Sequence, residues 1–189
     1  MIAVLLADGF ETVEALAPVD ILRRAGLDVK LVGVTGKNAV SSQGVTVVAD
    51  IGLSELKMSE LEMLFLPGGG IGVDNLRASC VVLELVQTAH REGKWLAAIC
   101  AAPVLLAEAG LLEGKRTVCY PSMREELKSC GALLSEDETV VRDGKLITGQ
   151  AAGCSFEFGF ALLEALRGRQ EAEKIMEAMF WEKQRPVSE

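Results

Sequence analysis

Cys100 lies where an apolar run gives way to an alanine-rich stretch, in Lys94-Trp95-Leu96-Ala97-Ala98-Ile99-Cys100-Ala101-Ala102-Pro103-Val104-Leu105-Leu106. The pattern predicts a short buried strand from Trp95 to Ile99 and a helix from Ala101 to Ala109, ending at Gly110. A cysteine between two such elements stands on a tight turn, near the unpaired N–H groups of the helix's first turn. Those groups favour the thiolate, the form that attacks electrophiles and is oxidised. Pro103 agrees with this reading, because a first-turn proline gives up an N–H that has no partner within the helix.

Glu14 is the second residue of chemical interest. On a helical wheel Pro18, Ile21 and Ala25 fall within about 40° of it, while Asp20, Arg23 and Arg24 lie away. A carboxylate among apolar neighbours is either paired or neutral, since burying it charged and alone is costly. Pro18 removes the N–H that would bond the Glu14 carbonyl, which predicts a kink. The simpler account is a first-turn glutamate interacting with the helix dipole. Pro67-Gly68-Gly69-Gly70-Ile71-Gly72 could present backbone N–H groups to an oxyanion, or be a plain strand-to-helix turn; it matches neither a dinucleotide fingerprint nor a P-loop. The same two readings, pocket wall or helix cap, apply to Gly149-Gln150-Ala151-Ala152-Gly153-Cys154-Ser155. His90, the one histidine, ends a helix and precedes the elbow, so a Cys–His–acid triad of the usual chain order has no histidine to use.

These residues need a scaffold, and composition bounds it. A chain of 189 residues, half of them hydrophobic, can fold as one domain around a substantial core. The net charge of −8 argues against nonspecific nucleic-acid or anionic-membrane binding. No apolar run approaches membrane-spanning length, and Met1 to Leu6 meets Asp8 too early for a signal peptide. Five cysteines (80, 100, 119, 130 and 154) without CxxC or zinc-type spacing argue against a disulfide framework and a structural metal. The expected setting is a reducing cytoplasm, with four of the five buried as small apolar groups.

Strands are expected at Ile2 to Ala7, Val29 to Val34, Met63 to Leu66, Trp95 to Ile99 and Arg116 to Cys119. Ser41-Ser42-Gln43-Gly44 reads as a hairpin turn leading into Val45 to Ala49, and Asp143-Gly144 as a hairpin turn between Thr139 to Arg142 and Lys145 to Thr148. Helices are expected at Val13 to Ala25, Leu76 to Arg91, Glu125 to Ser129, Phe156 to Leu166 and Glu171 to Met179, with Phe156, Phe160 and Leu163 in the core. This alternation predicts a three-layer α/β sandwich with a mostly parallel sheet. The turns at Gly9, Gly68–Gly70, Cys100 and Gly149 should gather at the carboxyl ends of its strands. The domain is expected over 1–181, with a polar tail at 182–189.

Several segments, in order, resemble the ThiJ/PfpI superfamily, in particular the branch of the Parkinson-disease-associated protein deglycase. They are Asp8-Gly9-Phe10-Glu11 through Pro18-Val19-Asp20-Ile21-Leu22-Arg23-Arg24-Ala25-Gly26, Leu66-Pro67-Gly68-Gly69, Ala98-Ile99-Cys100-Ala101-Ala102-Pro103, Thr148-Gly149-Gln150 and Ser155-Phe156-Glu157-Phe158. The resemblance covers nearly the whole chain. It implies a flavodoxin-like fold, a homodimer, Cys100 at a nucleophile elbow and a protonated Glu14 donating to it. It also implies Gly69 and Ala101 as backbone donors to an oxyanion or sulfinate. Some members carry a histidine before a proline in the segment after the elbow helix; Tyr120, before Pro121, stands there in this chain and is a pocket candidate. The activity implied is cofactor-free, glyoxalase III-like or deglycase-like handling of small aldehydes or glycated proteins, slow without the histidine. The alternative is a redox sensor or chaperone in which Cys100 becomes a sulfinate. Amidase or peptidase chemistry ranks last, because no histidine follows the elbow.

Overall fold

The computed structural model describes residues 1–181; the polar tail expected over 182–189 lies outside them. Along the chain run β1 (Ile2–Leu6), α1 (Thr12–Arg24), β2 (Val29–Gly33), β3 (Asn38–Val40), β4 (Thr46–Val48), β5 (Ile51–Gly52), β6 (Met63–Leu66), α2 (Gly70–Arg77) and α3 (Cys80–Arg91). There follow β7 (Trp95–Ile99), α4 (Pro103–Glu108), β8 (Arg116–Thr117), α5 (Arg124–Ser129), β9 (Leu133–Leu134), β10 (Val140–Asp143), β11 (Leu146–Gly149), α6 (Ser155–Arg167) and α7 (Arg169–Ala178). Seven strands form one sheet in the order β10-β11-β7-β6-β1-β2-β5, parallel except for the β10–β11 hairpin.

The central strands are apolar throughout because both faces are covered. Ala3, Leu5, Leu64, Leu66, Leu96 and Ala98 face one cluster, packed with Val73, Leu76, Val82, Val86 and Leu105. Ile2, Val4, Leu6, Met63, Phe65, Ala97 and Ile99 face the other, with Ile21 and Leu22 of α1 and Phe158 and Leu162 of α6. Alternate residues of one strand thus enter opposite layers. The result is the flavodoxin-like three-layer sandwich that the alternation of elements predicts. Helices α1 and α6 lie especially close, since a Cβ on Gly159 would stand 2.9 Å from Pro18 Cα and 2.6 Å from Ile21 Cδ1.

Some elements depart from expectation. The helix expected over Leu76 to Arg91 is two, parted at Ala78–Ser79, where Ser79 is extended. Leu76 and Val82, six residues apart, cannot share one helical face, so the break lets both reach the core. The strand expected over Arg116 to Cys119 stops at Thr117 and pairs with β9 in a separate small sheet. Beyond it Val118 N–H donates to Thr148 Oγ1 (3.0 Å), turning the chain toward the elbow. The helix after Cys100 begins at Pro103 rather than Ala101, because Cys100 to Ala102 form the turn itself. Phe160 and Leu163 are buried, but Phe156 is 37% exposed and stacks on Trp181, 5.3 Å between ring centroids.

Candidate functional site

The carboxyl ends of β1, β6, β7 and β11 bring together the four turns marked in the sequence. Cys100 follows β7 with φ 66°, one of two non-glycine residues with positive φ among the described residues. Such a conformation costs an L-residue on the order of 1–2 kcal/mol and persists only where neighbours impose it. Here the Cys100 N–H donates to Gly149 O (2.9 Å), and its carbonyl accepts from the Tyr120 N–H (2.8 Å). The glycine loop is wedged against the first turn region of α1. Glu11 N–H donates to Gly68 O (2.9 Å), and a Cβ on Gly69 would fall 2.3 Å from Gly9 O.

Glu14 reaches this cluster from α1 and is 1% exposed. The space over Gly68 is taken by Glu14 and Cys100: a Cβ there would meet Glu14 Oε2 at 2.2 Å and Cys100 Cβ at 2.6 Å. Glu14 Oε2 meets no partner at ordinary hydrogen-bond geometry among the described residues. Burial lifts the Glu14 carboxyl from 4.5 to about 7; the Cys100 thiol lowers it, the nearby Glu11 charge raises it, and the Gly68 N–H lowers it. The helix wheel thus identified a buried carboxyl, not an exposed partner of the helix dipole.

The thiol departs from expectation. Burial pushes Cys100 up to about 12, the Glu14 carboxylate adds to this by charge and as a hydrogen-bond acceptor, and the N–H groups of Gly69 and Ala101 pull the other way. The Gly69 and Ala101 N–H groups are outweighed by burial and the acid. A site this dry does not hold two negative charges, so the pair keeps a proton near neutral pH. A carboxyl raised to about 7 beside a thiol is chemically able to accept that thiol's proton near neutral pH.

The other residues sort clearly. The backbone N–H groups of Gly69 and Ala101 act on the Cys100 thiol. Tyr120 touches the elbow through its backbone and is 47% exposed. His90 is exposed in the last turn of α3, before β7, at the end of that strand opposite Cys100. Cys119 and Cys154 are buried, but Cys80 and Cys130 are exposed, contrary to expectation. Burial raises Cys119 to about 11. Two cavities of about 570 and 510 Å³ lie at β2–β5 and beside Trp181, and neither is lined by Cys100 or Glu14. Two features of the site differ in how far the chain reveals them. The Gly68 contacts arise within a loop that its glycines do mark, whereas Gln43, which braces the start of α1, carries no local signal.

A family model described as the DJ-1/PfpI family matches residues 1–165. The chain is similar to Protein dj-1beta of Drosophila melanogaster, 35% identical over 177 residues, covering 93% of this chain and 94% of that one. The crystal structure of Drosophila melanogaster DJ-1beta superposes with a TM-score of 0.91, covering 96% and 98% of the two chains at 33% identity. Toxoplasma gondii DJ-1, in a structure described as oxidized, gives 0.88 at 30% identity, covering 96% and 98%. The glutathione-independent glyoxalase DJR-1.2 of Caenorhabditis elegans is 27% identical over 169 residues, covering 89% of each chain.

Proposed function

The chain belongs to the DJ-1/PfpI family, and on that premise we propose that it converts small reactive carbonyls through Cys100. The observation that carries the reading is the buried Glu14 carboxyl packed with Cys100 over Gly68. With methylglyoxal as substrate, Glu14 takes the thiol proton while the sulfur attacks the aldehyde carbon. The C–S bond forms, the carbonyl π pair moves to oxygen, and the N–H groups of Gly69 and Ala101 hold that oxyanion until Glu14 returns the proton. Glu14 then moves a proton from C1 to C2 by way of an enediol, turning the hemithioacetal into a lactoyl thioester. Water cleaves the thioester, releasing lactate and the thiol. The sum is methylglyoxal plus water giving lactate, with no external oxidant or reductant. The glyoxalase name of the Caenorhabditis relative supports this class. Early glycation adducts, which carry the same carbonyl chemistry, complete the proposed substrates, and a cytoplasmic homodimer is the proposed form. Lactate formation from methylglyoxal should fall to background in Cys100→Ser and at least a hundredfold in Glu14→Gln. Equal rates in all three proteins would sink the reading.

A second reading rests on the same N–H donors. The backbone groups of Gly69 and Ala101 beside the sulfur also suit a sulfinate, formed when two equivalents of peroxide each deliver one oxygen to the thiol and leave as water. On this reading the N–H groups of Gly69 and Ala101 stabilise the oxidised sulfur rather than the resting thiolate, so prolonged mild peroxide, read by intact-mass and peptide analysis, should leave two added oxygens accumulated on Cys100. An even spread over five cysteines would count against a sensor.

A further inference from the structure

Helix α1, which carries Glu14, starts without a cap of its own. Glu11 at the N-cap position has extended backbone (φ −80°, ψ 121°), and its side chain makes no capping bond. Such a start leaves the first turn free to fray unless something else holds it. The hold comes from the turn of the β3–β4 hairpin. Gln43 Nε2 donates to Glu11 Oε2 (2.9 Å), and Gln43 Oε1 accepts from Thr12 Oγ1 (3.1 Å). Ser42 Oγ lies 3.0 Å from Glu11 Oε2, and Ser41 Oγ lies 2.7 Å from Thr12 Oγ1. Backbone bonds fasten the same joint: Ser42 N–H to Phe10 O (2.9 Å) and Gly9 N–H to Val40 O (2.7 Å). Glu11 also donates its N–H to the carbonyl of Gly68, the residue beneath Glu14 and Cys100.

We infer that Gln43, seconded by Ser42, is a positioning residue for the Cys100–Glu14 pair: its amide clasps Glu11 and Thr12, fixing the turn that carries Glu14 and keeping the Glu11 carboxylate beside it. Glu14 lies one helical turn beyond Glu11 and feels its charge. The other titratable groups acting on or feeling Glu14 are Cys100 at the elbow and Cys154 ahead of α6. The inference rests on Glu14 as the proton acceptor, but its readout does not need turnover.

The test is a pH titration of ¹³C-labelled glutamate carboxyls by NMR, with Glu14→Gln assigning the signal. The wild-type midpoint should lie at about 7. Glu11→Gln should lower it, raising the ionised fraction at pH 6 about 1.4- to twofold. Gln43→Ala should move it the same way, and the double variant should go no further than Glu11→Gln alone, since both remove one interaction. A midpoint unmoved in Gln43→Ala, or full additivity in the double variant, overturns the inference. Gln43→Asn, too short to reach Glu11, and Ser42→Ala supply the same readout should Gln43→Ala fold poorly. If these shifts occur in a protein that makes no lactate, the positioning role stands and the proposed activity falls. If lactate forms without the shifts, the activity stands and the positioning role falls.

Discussion

Replacing Glu14 with glutamine should stabilise the folded chain, by an amount that depends on pH. Burial raises this carboxyl from 4.5 to about 7, so the folded state holds the proton more tightly than the unfolded one. The sign follows directly. The stability contributed by the protonated acid is complete below about 4.5 and is lost as pH climbs through about 7, where keeping the buried ion costs about 3 kcal/mol. Glutamine has the same shape without the charge, and its amide can turn an oxygen toward the Gly68 N–H. For a chain of this length about 3 kcal/mol corresponds to about 6–12 °C in Tm. Calorimetry or urea unfolding at pH 4.5, 6 and 8 should therefore show a gap between Glu14→Gln and wild type that opens with pH. A gap of constant size, or a wild type more stable at pH 8, would refute the burial argument. Under the proposed mechanism, the variant that gains stability is also the one expected to lose activity.

Further outcomes follow from the same geometry. Gly68→Ala drives a methyl into Glu14 Oε2 and Cys100 Cβ, with Ile99 O at 2.9 Å, and should cost about 2–3 kcal/mol in urea unfolding along with the activity. Cys100→Ala removes the thiol that lowers the Glu14 carboxyl, so the Glu14 titration should move above about 7 by the same NMR readout. Site-resolved iodoacetamide labelling at pH 8 should modify exposed Cys80 and Cys130 before Cys100, whose thiol is pushed up to about 12; Cys100 reacting first would mean that the Gly69 and Ala101 donors outweigh burial and Glu14. Arg77 joins α2 to Glu108 and Glu126, yet all three side chains are about a third or more exposed. Arg77→Ala should accordingly cost no more than about 1 kcal/mol.

Much of the architecture is legible in the sequence because buried parallel strands are written plainly. Met63–Leu66 and Trp95–Ile99 fall where the apolar runs lie, since no polar face interrupts them. The burial of Glu14 is legible for a similar reason, as its wheel neighbours Pro18 and Ile21 are buried with it. The thiol's behaviour is not. A reading along the chain meets the turn N–H groups but not the desolvation and the acid that oppose them, which arise when α1 closes over the elbow. Gln43 is hidden for the same reason, because a turn residue reveals nothing locally of the helix it holds 32 positions away. Phe156 shares the helical spacing of Phe160 but stacks on Trp181, beyond the reach of a periodicity argument.

The two backbone hydrogen bonds at Cys100 carry a kinetic meaning. One partner, Gly149, belongs to a strand far along the chain, and the other, Tyr120, lies beyond α4. The bonds that hold the elbow thus come from residues distant in sequence, and the Gly149 bond requires β11 to be docked on β7. Until both of those distant partners are in place, the cysteine lacks the two backbone bonds that set its turn. Amide exchange at Cys100 and Tyr120 should then follow the global opening reaction rather than local fraying. A C-terminal truncation short of Gly149 would leave a cysteine in a chain without a site.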